Sequence, residues 1–170
     1  LWYAGPVASG DLAIWAGATG ADSGPERARA AAWRLTPDGN GGANVAIWAQ
    51  DAASVHLCIF DEDGRETQHE LVERVFNTFH AHIPHLPPGT RYGFRVDGVW
   101  DPAHGHRWNR NKLLLDPYAR AIDGEFRLDP SIYAHVGSDD LRMSTSDSAP
   151  YVTRSIVVGA TLDWGAARTP

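Results

Sequence analysis

Four short runs constrain what this chain can fold into: NVAIWA (44–49), SVHLCIF (54–60), TFHAHI (78–83) and RYGFRV (91–96). Each is rich in β-branched or aromatic residues and alternates apolar with polar, the period of a half-buried strand rather than of a helix. Val55, Leu57 and Ile59 share one face, as do Phe79, Ala81 and Ile83, and likewise Tyr92, Phe94 and Val96. The intervening His80, His82, Arg91 and Arg95 are expected on the opposite, solvated face, because successive strand side chains alternate. Asp38-Gly39, Asp63-Gly64, Pro88-Gly89 and Asp97-Gly98 read as turns between these runs, at the spacing of two packed antiparallel sheets. ETQHELV (66–72) is a weaker strand that pairs after the Asp63-Gly64 turn, and SIVVG (155–159) is the last regular element.

The two ends lack such a pattern. Residues 1–32 are rich in Gly and Ala, and only PERARAAAW (25–33) suits a turn or two of helix, so a loosely held arm is expected there. Past Asp101 the chain turns irregular, with prolines at 102, 117 and 130, and SDDLRMSTSDSAP (138–150) reads as a surface loop. The 170 residues suffice for one compact domain. The expected fold class is all-β, an immunoglobulin-like β-sandwich of antiparallel strands with an irregular N-terminal arm (1–32), a sandwich body (33–126) and a C-terminal connector (127–170).

Charge and cysteine usage narrow the partners. Fifteen basic against twenty-one acidic residues give a net charge of −6, and no basic run exceeds two residues, so a nucleic-acid partner is not expected. The single Cys58 cannot close an internal disulfide, which favours a reducing, cytoplasmic location. No apolar stretch approaches the roughly 20 residues of a membrane helix, and the opening LWYAGPVASG lacks a basic signal-peptide region.

Catalytic and metal patterns are sparse. His80 and His82 with His85, and His104 with His106, have a spacing that two converging pairs could use for zinc, but no Cys or Glu-x-x-His accompanies them. Asp61-Glu62-Asp63-Gly64 starts like a calcium loop and breaks at Arg65, where a hairpin turn explains it better. No nucleophile elbow, phosphate loop or dinucleotide motif is present, and Cys58 falls inside an apolar strand. No catalytic residue, metal ligand or cofactor is assigned. The aromatic residues say more, since seven of them are Trp. Trp48 and Trp100 sit at strand positions, and Trp108 follows in a segment of Arg, Asn and Lys that suits sugar stacking and hydroxyl recognition. Core packing is the competing role for any one of them.

The segment RYGFRVDGVWDPAHGHRWNRNKLLLDPYARAIDGEF (91–126) resembles the N-terminal module of isoamylase-type bacterial glycogen debranching enzymes, in which a sandwich of carbohydrate-binding module family 48 precedes a family 13 glycoside hydrolase barrel. The resemblance rests on Arg91, Tyr92, Gly93, Arg95, Gly98, Trp100, Gly105, His106, Arg107, Asn109, Lys112, Leu114, Asp116, Pro117, Tyr118 and Gly124, and extends to Leu35–Gly64 and Ser146–Gly165. It implies a non-catalytic module whose parent hydrolyses α-1,6 branch linkages in glycogen or limit dextrin. A stand-alone glucan-binding module, or the module of a branching enzyme or a maltooligosyltrehalose trehalohydrolase, is the alternative. Thr169-Pro170 falls where the family's first barrel strand would begin, so the two carboxyl groups of retaining hydrolysis are expected outside this stretch, and the stretch alone should be inactive. The partners implied are glycogen or another α-glucan and the catalytic barrel. Related modules clamp sugar between two Trp with a Lys nearby; Trp100 matches one platform, Gly93 stands in the place of the Lys, and Asp63 or Gly64 in that of the other Trp. Weak glucan binding centred on Trp100 follows. The segment Trp100–Tyr118 would face the barrel, with Trp108, Asn109, Lys112, Asp116 and Tyr118 as the interdomain residues.

Overall fold

The computed structural model describes residues 35–159; the arm expected over 1–32 and the end of the connector lie outside them. Seven strands come first: β1 (Leu35–Pro37), β2 (Ala43–Trp48), β3 (Ala52–Phe60), β4 (Glu66–Glu70), β5 (Glu73–Val75), β6 (Thr78–Ile83) and β7 (Arg91–Gly98). Six more follow: β8 (Trp100–Asp101), β9 (His106–Arg107), β10 (Ile122–Asp123), β11 (His135–Val136), β12 (Asp139–Met143) and β13 (Arg154–Ile156). Every pairing is antiparallel. One sheet runs β1-β2-β6-β5 and the other β10-β13-β7-β3-β4. The four alternating runs are the central strands of these two sheets.

Between the sheets lies the main core, in which Val45, Val55, Leu57, Leu71, Leu86, Phe94, Val96 and Val157 are sealed from solvent. Each such side chain contributes about 1.5–3 kcal/mol of transfer free energy. Asp38 shapes the β1–β2 turn by accepting from the backbone N–H groups of Asn40 (2.7 Å) and Gly42 (3.0 Å). The Asp63-Gly64 and Pro88-Gly89 turns form as the sequence suggests, with Gly64 and Gly89 at φ +79° and +91°.

Four expectations are corrected. His80 is 4% exposed rather than solvated: β6 lies between β2 and β5, Ala46 and Glu73 flank it in register, and its Nδ1 stands 3.1 Å from Glu73 Oε2. Arg95 is also buried, at 5%, because the chain after β9 folds back over the outer face of the five-stranded sheet. That return builds a second small core, Cys58 and Phe60 against Leu113 and Ala149, so β3 is buried on both faces. The stretch 138–150 is no simple loop: it holds β12, which pairs with β11, and two buried anchors, Ser144 and Ser148. Asp97-Gly98 does not turn the chain; β7 runs through it, and Gly98 pairs with Ala52.

Gly98 has a different task. A Cβ there would stand 2.7 Å from Trp108 Cδ1 and 3.2 Å from the Asp51 carbonyl oxygen, so the indole lies directly on the glycine. Gly98→Ala is expected to displace Trp108 and cost about 1–3 kcal/mol, the range for overpacking a filled site, read as a lower urea midpoint with an unchanged slope.

Candidate functional site

The exposed aromatic and charged groups that best suit a ligand gather around Trp100. β7 ends at Gly98, and the chain reverses through β8, a single helical turn at Pro102–His104 and β9, placing Trp100 opposite Arg107 and Asp101 opposite His106. Gly105 closes this turn at φ +88°, donating its N–H to the Pro102 carbonyl. The β11–β12 hairpin packs alongside. Trp100 Nε1 donates to the Leu141 carbonyl (2.7 Å), and Arg107 Nη2 lies 3.5 Å from Asp140 Oδ2. On the near side His104 Nδ1 is 2.7 Å from Asp101 Oδ2 and, as the first cause, holds the Asp101 carboxyl below its ordinary range. The indole N–H is thus spent within the protein and fixes the orientation of a half-buried ring. What it presents to a ligand is apolar ring surface, flanked by an Arg–Asp pair able to exchange hydrogen bonds with hydroxyls.

The remaining sequence-chosen residues lie along the returning segment. Trp108 covers Gly98 and donates Nε1 to the Gln50 carbonyl (2.8 Å). Asn109 is buried, its Nδ2 donating to the Ser144 and Ala134 carbonyls (2.8 and 3.2 Å). Lys112 is buried too, and its Nζ donates to Ser131 O (2.8 Å), Ser144 Oγ (3.2 Å) and Ser146 O (2.6 Å). Burial pulls its ammonium below the ordinary lysine value. Asp116 accepts from the Tyr92 hydroxyl (2.7 Å) and the Tyr118 N–H (2.8 Å), while Tyr118 is about half exposed. Of the three rings among the six, Tyr118 is exposed while Trp100 and Trp108 are both partly buried, Trp108 packing against the main core. Sequence reasoning missed Arg107, Asp140 and Leu141 as neighbours of Trp100. The available signal was Gly137-Ser138, a two-residue hairpin turn between β11 and β12.

Cys58 is buried, and burial first, then the Glu66 charge, pushes its thiol far up, so it is no nucleophile. Among the described residues no three His, Cys, Asp or Glu side chains gather as a metal site, and no helix is long and apolar enough to cross a membrane.

The sequence pattern of Carbohydrate-binding module 48 (Isoamylase N-terminal domain) matches residues 32–119. The chain belongs to this family. It is similar to the glycogen debranching enzyme of Cronobacter sakazakii, at 41% identity over 123 residues, 72% of this chain and 18% of the relative. It is also similar to that of Salmonella typhi, at 40% over 138 residues, 79% of this chain and 20% of the relative. The chain thus spans about a fifth of the length of these relatives. Among solved structures, the catalytic module of the multi-modular glycogen-degrading pneumococcal virulence factor SpuA superposes with a TM-score of 0.50 at 14% identity, over 75% of this chain and 16% of that one, a likeness of fold.

Gly93, expected in the place of a lysine, leaves no room for a side chain. A Cβ at Gly93 would meet Leu113 Cδ1 at 2.8 Å and the Leu114 carbonyl at 3.1 Å, because Phe94 and Leu114 exchange backbone hydrogen bonds of 2.8 and 2.9 Å. The returning segment therefore seals the Gly93 position. Asp63 and Gly64, expected in the place of the other Trp, form the tight turn before β4, and the Asp63 side chain is exposed.

Proposed function

We propose that this chain is the non-catalytic N-terminal module of a glycogen debranching enzyme, whose whole hydrolyses α-1,6 branch linkages in glycogen or limit dextrin. The observation that carries this reading is the 40% identity with glycogen debranching enzymes over most of this chain. In it, residues 33–126 form the sandwich body and 127–170 the connector, from which β13 returns to pair with β7. The module works beside a catalytic barrel in the cytoplasm and holds an α-glucan strand weakly. Trp100 is the stacking surface. Trp108, Asn109, Lys112 and Asp116 shape the segment that faces the barrel, and Tyr118 offers exposed ring surface to it.

A single ring with its N–H already spent supports millimolar affinity, about 4 kcal/mol. Titration of the chain with maltoheptaose, followed by Trp fluorescence, is expected to give a millimolar Kd that Trp100→Ala weakens at least fivefold. A reducing-sugar assay on glycogen is expected to show no hydrolysis by the chain alone. Release of linear chains would overturn the non-catalytic reading, and unchanged affinity of Trp100→Ala would overturn the platform.

A further inference from the structure

A half-enclosed cavity of about 150 Å³ opens between the two sheets, beside the last described stretch of the connector. β1 forms one wall and the stretch 156–158, which carries the end of β13, forms the other. The buried Tyr92, the half-exposed Tyr118 and the exposed Arg120 complete the lining. The module holds this part of the connector firmly. Ile156 and Val157 donate their N–H groups to the carbonyls of Ala121 and Thr90 (2.9 Å each), and the Val157 carbonyl accepts from the Gly89 N–H (2.8 Å). Beyond them Arg120 Nη2 donates to the carbonyls of both Val158 and Gly159, at 2.9 Å each. Charge-assisted bonds are stronger than neutral ones, so a guanidinium on two successive carbonyls fixes the direction in which the backbone departs.

The chemistry of the lining decides between a sugar and an apolar group. Its polar atoms are already engaged or covered: the Tyr92 hydroxyl donates to Asp116 (2.7 Å), Arg120 Nη2 is spent on the two carbonyls, and Thr36 Oγ1 is sealed from solvent. A pyranose placed here would leave most of its hydroxyls unpaired, at the cost that attends buried unmade hydrogen bonds. An aliphatic or aromatic side chain has no such demand. Leu35, Ile156 and Val158, none of them fully buried, offer it apolar surface, and the Tyr118 ring adds more. A cavity of about 150 Å³ with apolar walls accepts a group the size of benzene, which is one side chain rather than a length of glucan.

We infer that this cavity is the socket in which the catalytic barrel seats one aliphatic or aromatic side chain, and that Arg120 aims the connector so that it does. The inference rests on the debranching reading above. The chain matches 18% and 20% of the two debranching enzymes, so in the whole enzyme a much larger body is tethered through the connector that departs beside the cavity. A short tether gives the surfaces at its root a high effective concentration for each other, which favours contact here over contact on a remote face. Of the five residues that the sequence put toward the barrel, Trp108, Asn109, Lys112 and Asp116 make their hydrogen bonds inside the module, and Tyr118 is the one that borders the cavity.

Hydrogen exchange tests the socket by comparing the whole enzyme with the 170-residue chain. The amides of 35–36, 118–120 and 156–159 are expected to exchange about tenfold more slowly in the whole enzyme. Tyr118→Ala should reduce that slowing at least threefold while leaving the urea midpoint of the chain in place, because the ring is half exposed and supports no described core residue. Arg120→Ala, which frees the connector, should reduce it as well. Slowing confined to other faces of the sandwich, in an enzyme that hydrolyses α-1,6 linkages, would overturn the socket and leave the proposed function standing. Slowing at these amides in an enzyme that does not hydrolyse them would support the socket and overturn that activity. Equal exchange in the chain and in the whole enzyme would overturn the socket, and slowing unchanged in both variants would overturn the parts given to Tyr118 and Arg120.

Discussion

Arg95→Ala is expected to destabilise the module by about 3 kcal/mol, the lower end of the range for breaking a buried ion pair, and to lower its melting midpoint by roughly 10 °C. Arg95 bonds in four directions at once: Nε and Nη2 grip the two oxygens of Glu66 (2.7 and 2.6 Å), Nη2 also reaches Asp147 (2.9 Å), and Nη1 donates to the Arg110 carbonyl (3.0 Å). These partners lie on β4 and on two stretches of the returning segment, so one side chain ties that segment to the sheet. Removing it leaves the Glu66 carboxylate mostly buried and uncompensated. Asp147 is about half exposed, and water will stabilise it in part, hence the lower end of the range.

The same group sets a pH dependence. Burial pushes the Glu66 carboxyl up, but hydrogen bonds from Arg95 and Gln68 outweigh it and leave the pKa below the ordinary glutamate value. A depressed folded-state pKa contributes stability that is fully present above the unfolded value of about 4.3 and is lost as pH falls through the folded one. Urea midpoints of wild type and Arg95→Ala should therefore differ most near neutral pH and approach each other below about pH 4. A gap that stays constant down to pH 3 would show that Arg95 acts through packing instead.

The sandwich was legible in the sequence because its signal is local. NVAIWA, SVHLCIF, TFHAHI and RYGFRV carry the two-residue period, and each became a central strand. Alternation was a poor guide to the outer faces. It correctly left His82 exposed, yet His80 is covered and Arg95 lies under the returning segment. Burial of an outer face depends on what the rest of the chain lays over it, and residues 107–152 fold back with no periodicity that would announce it. The anchors of that return are polar: Ser144, Ser148, Asn109 and Lys112 look like loop composition, although in the structure they satisfy one another and the backbone. Trp100 could be chosen from sequence as a ring near the end of a strand. Its fixed orientation could not, because the Leu141 carbonyl that holds it comes from a hairpin 41 residues away.

That hairpin makes Lys112 the second large expected effect. Among the described residues its ammonium has no direct carboxylate partner; it distributes three hydrogen bonds over Ser131, Ser144 and Ser146, on either side of β11 and β12. Lys112→Met keeps the volume of the stem but takes the Lys112 donor from two carbonyl oxygens, each worth about 1–3 kcal/mol when buried and unmade, and leaves the Ser144 hydroxyl only a long bond from the Ser146 N–H (3.4 Å). Water entering beside the lifted segment will recover part of this, so a loss of about 3 kcal/mol is expected in urea unfolding. Asn109 holds the same segment through Ala134 and Ser144, and Asn109→Ala should cost less in the Lys112→Met background than alone, because a segment already released cannot be released twice. Strict additivity would mean that the two side chains hold independent parts. The consequence reaches the ligand surface: with the hairpin loosened, the Leu141 carbonyl no longer fixes the Trp100 indole, and maltoheptaose affinity should fall several-fold although Lys112 touches no sugar. Unchanged affinity in a destabilised Lys112→Met would show that the Trp100 ring keeps its pose without the hairpin, and that stacking alone, not its preorganisation, sets the strength of binding.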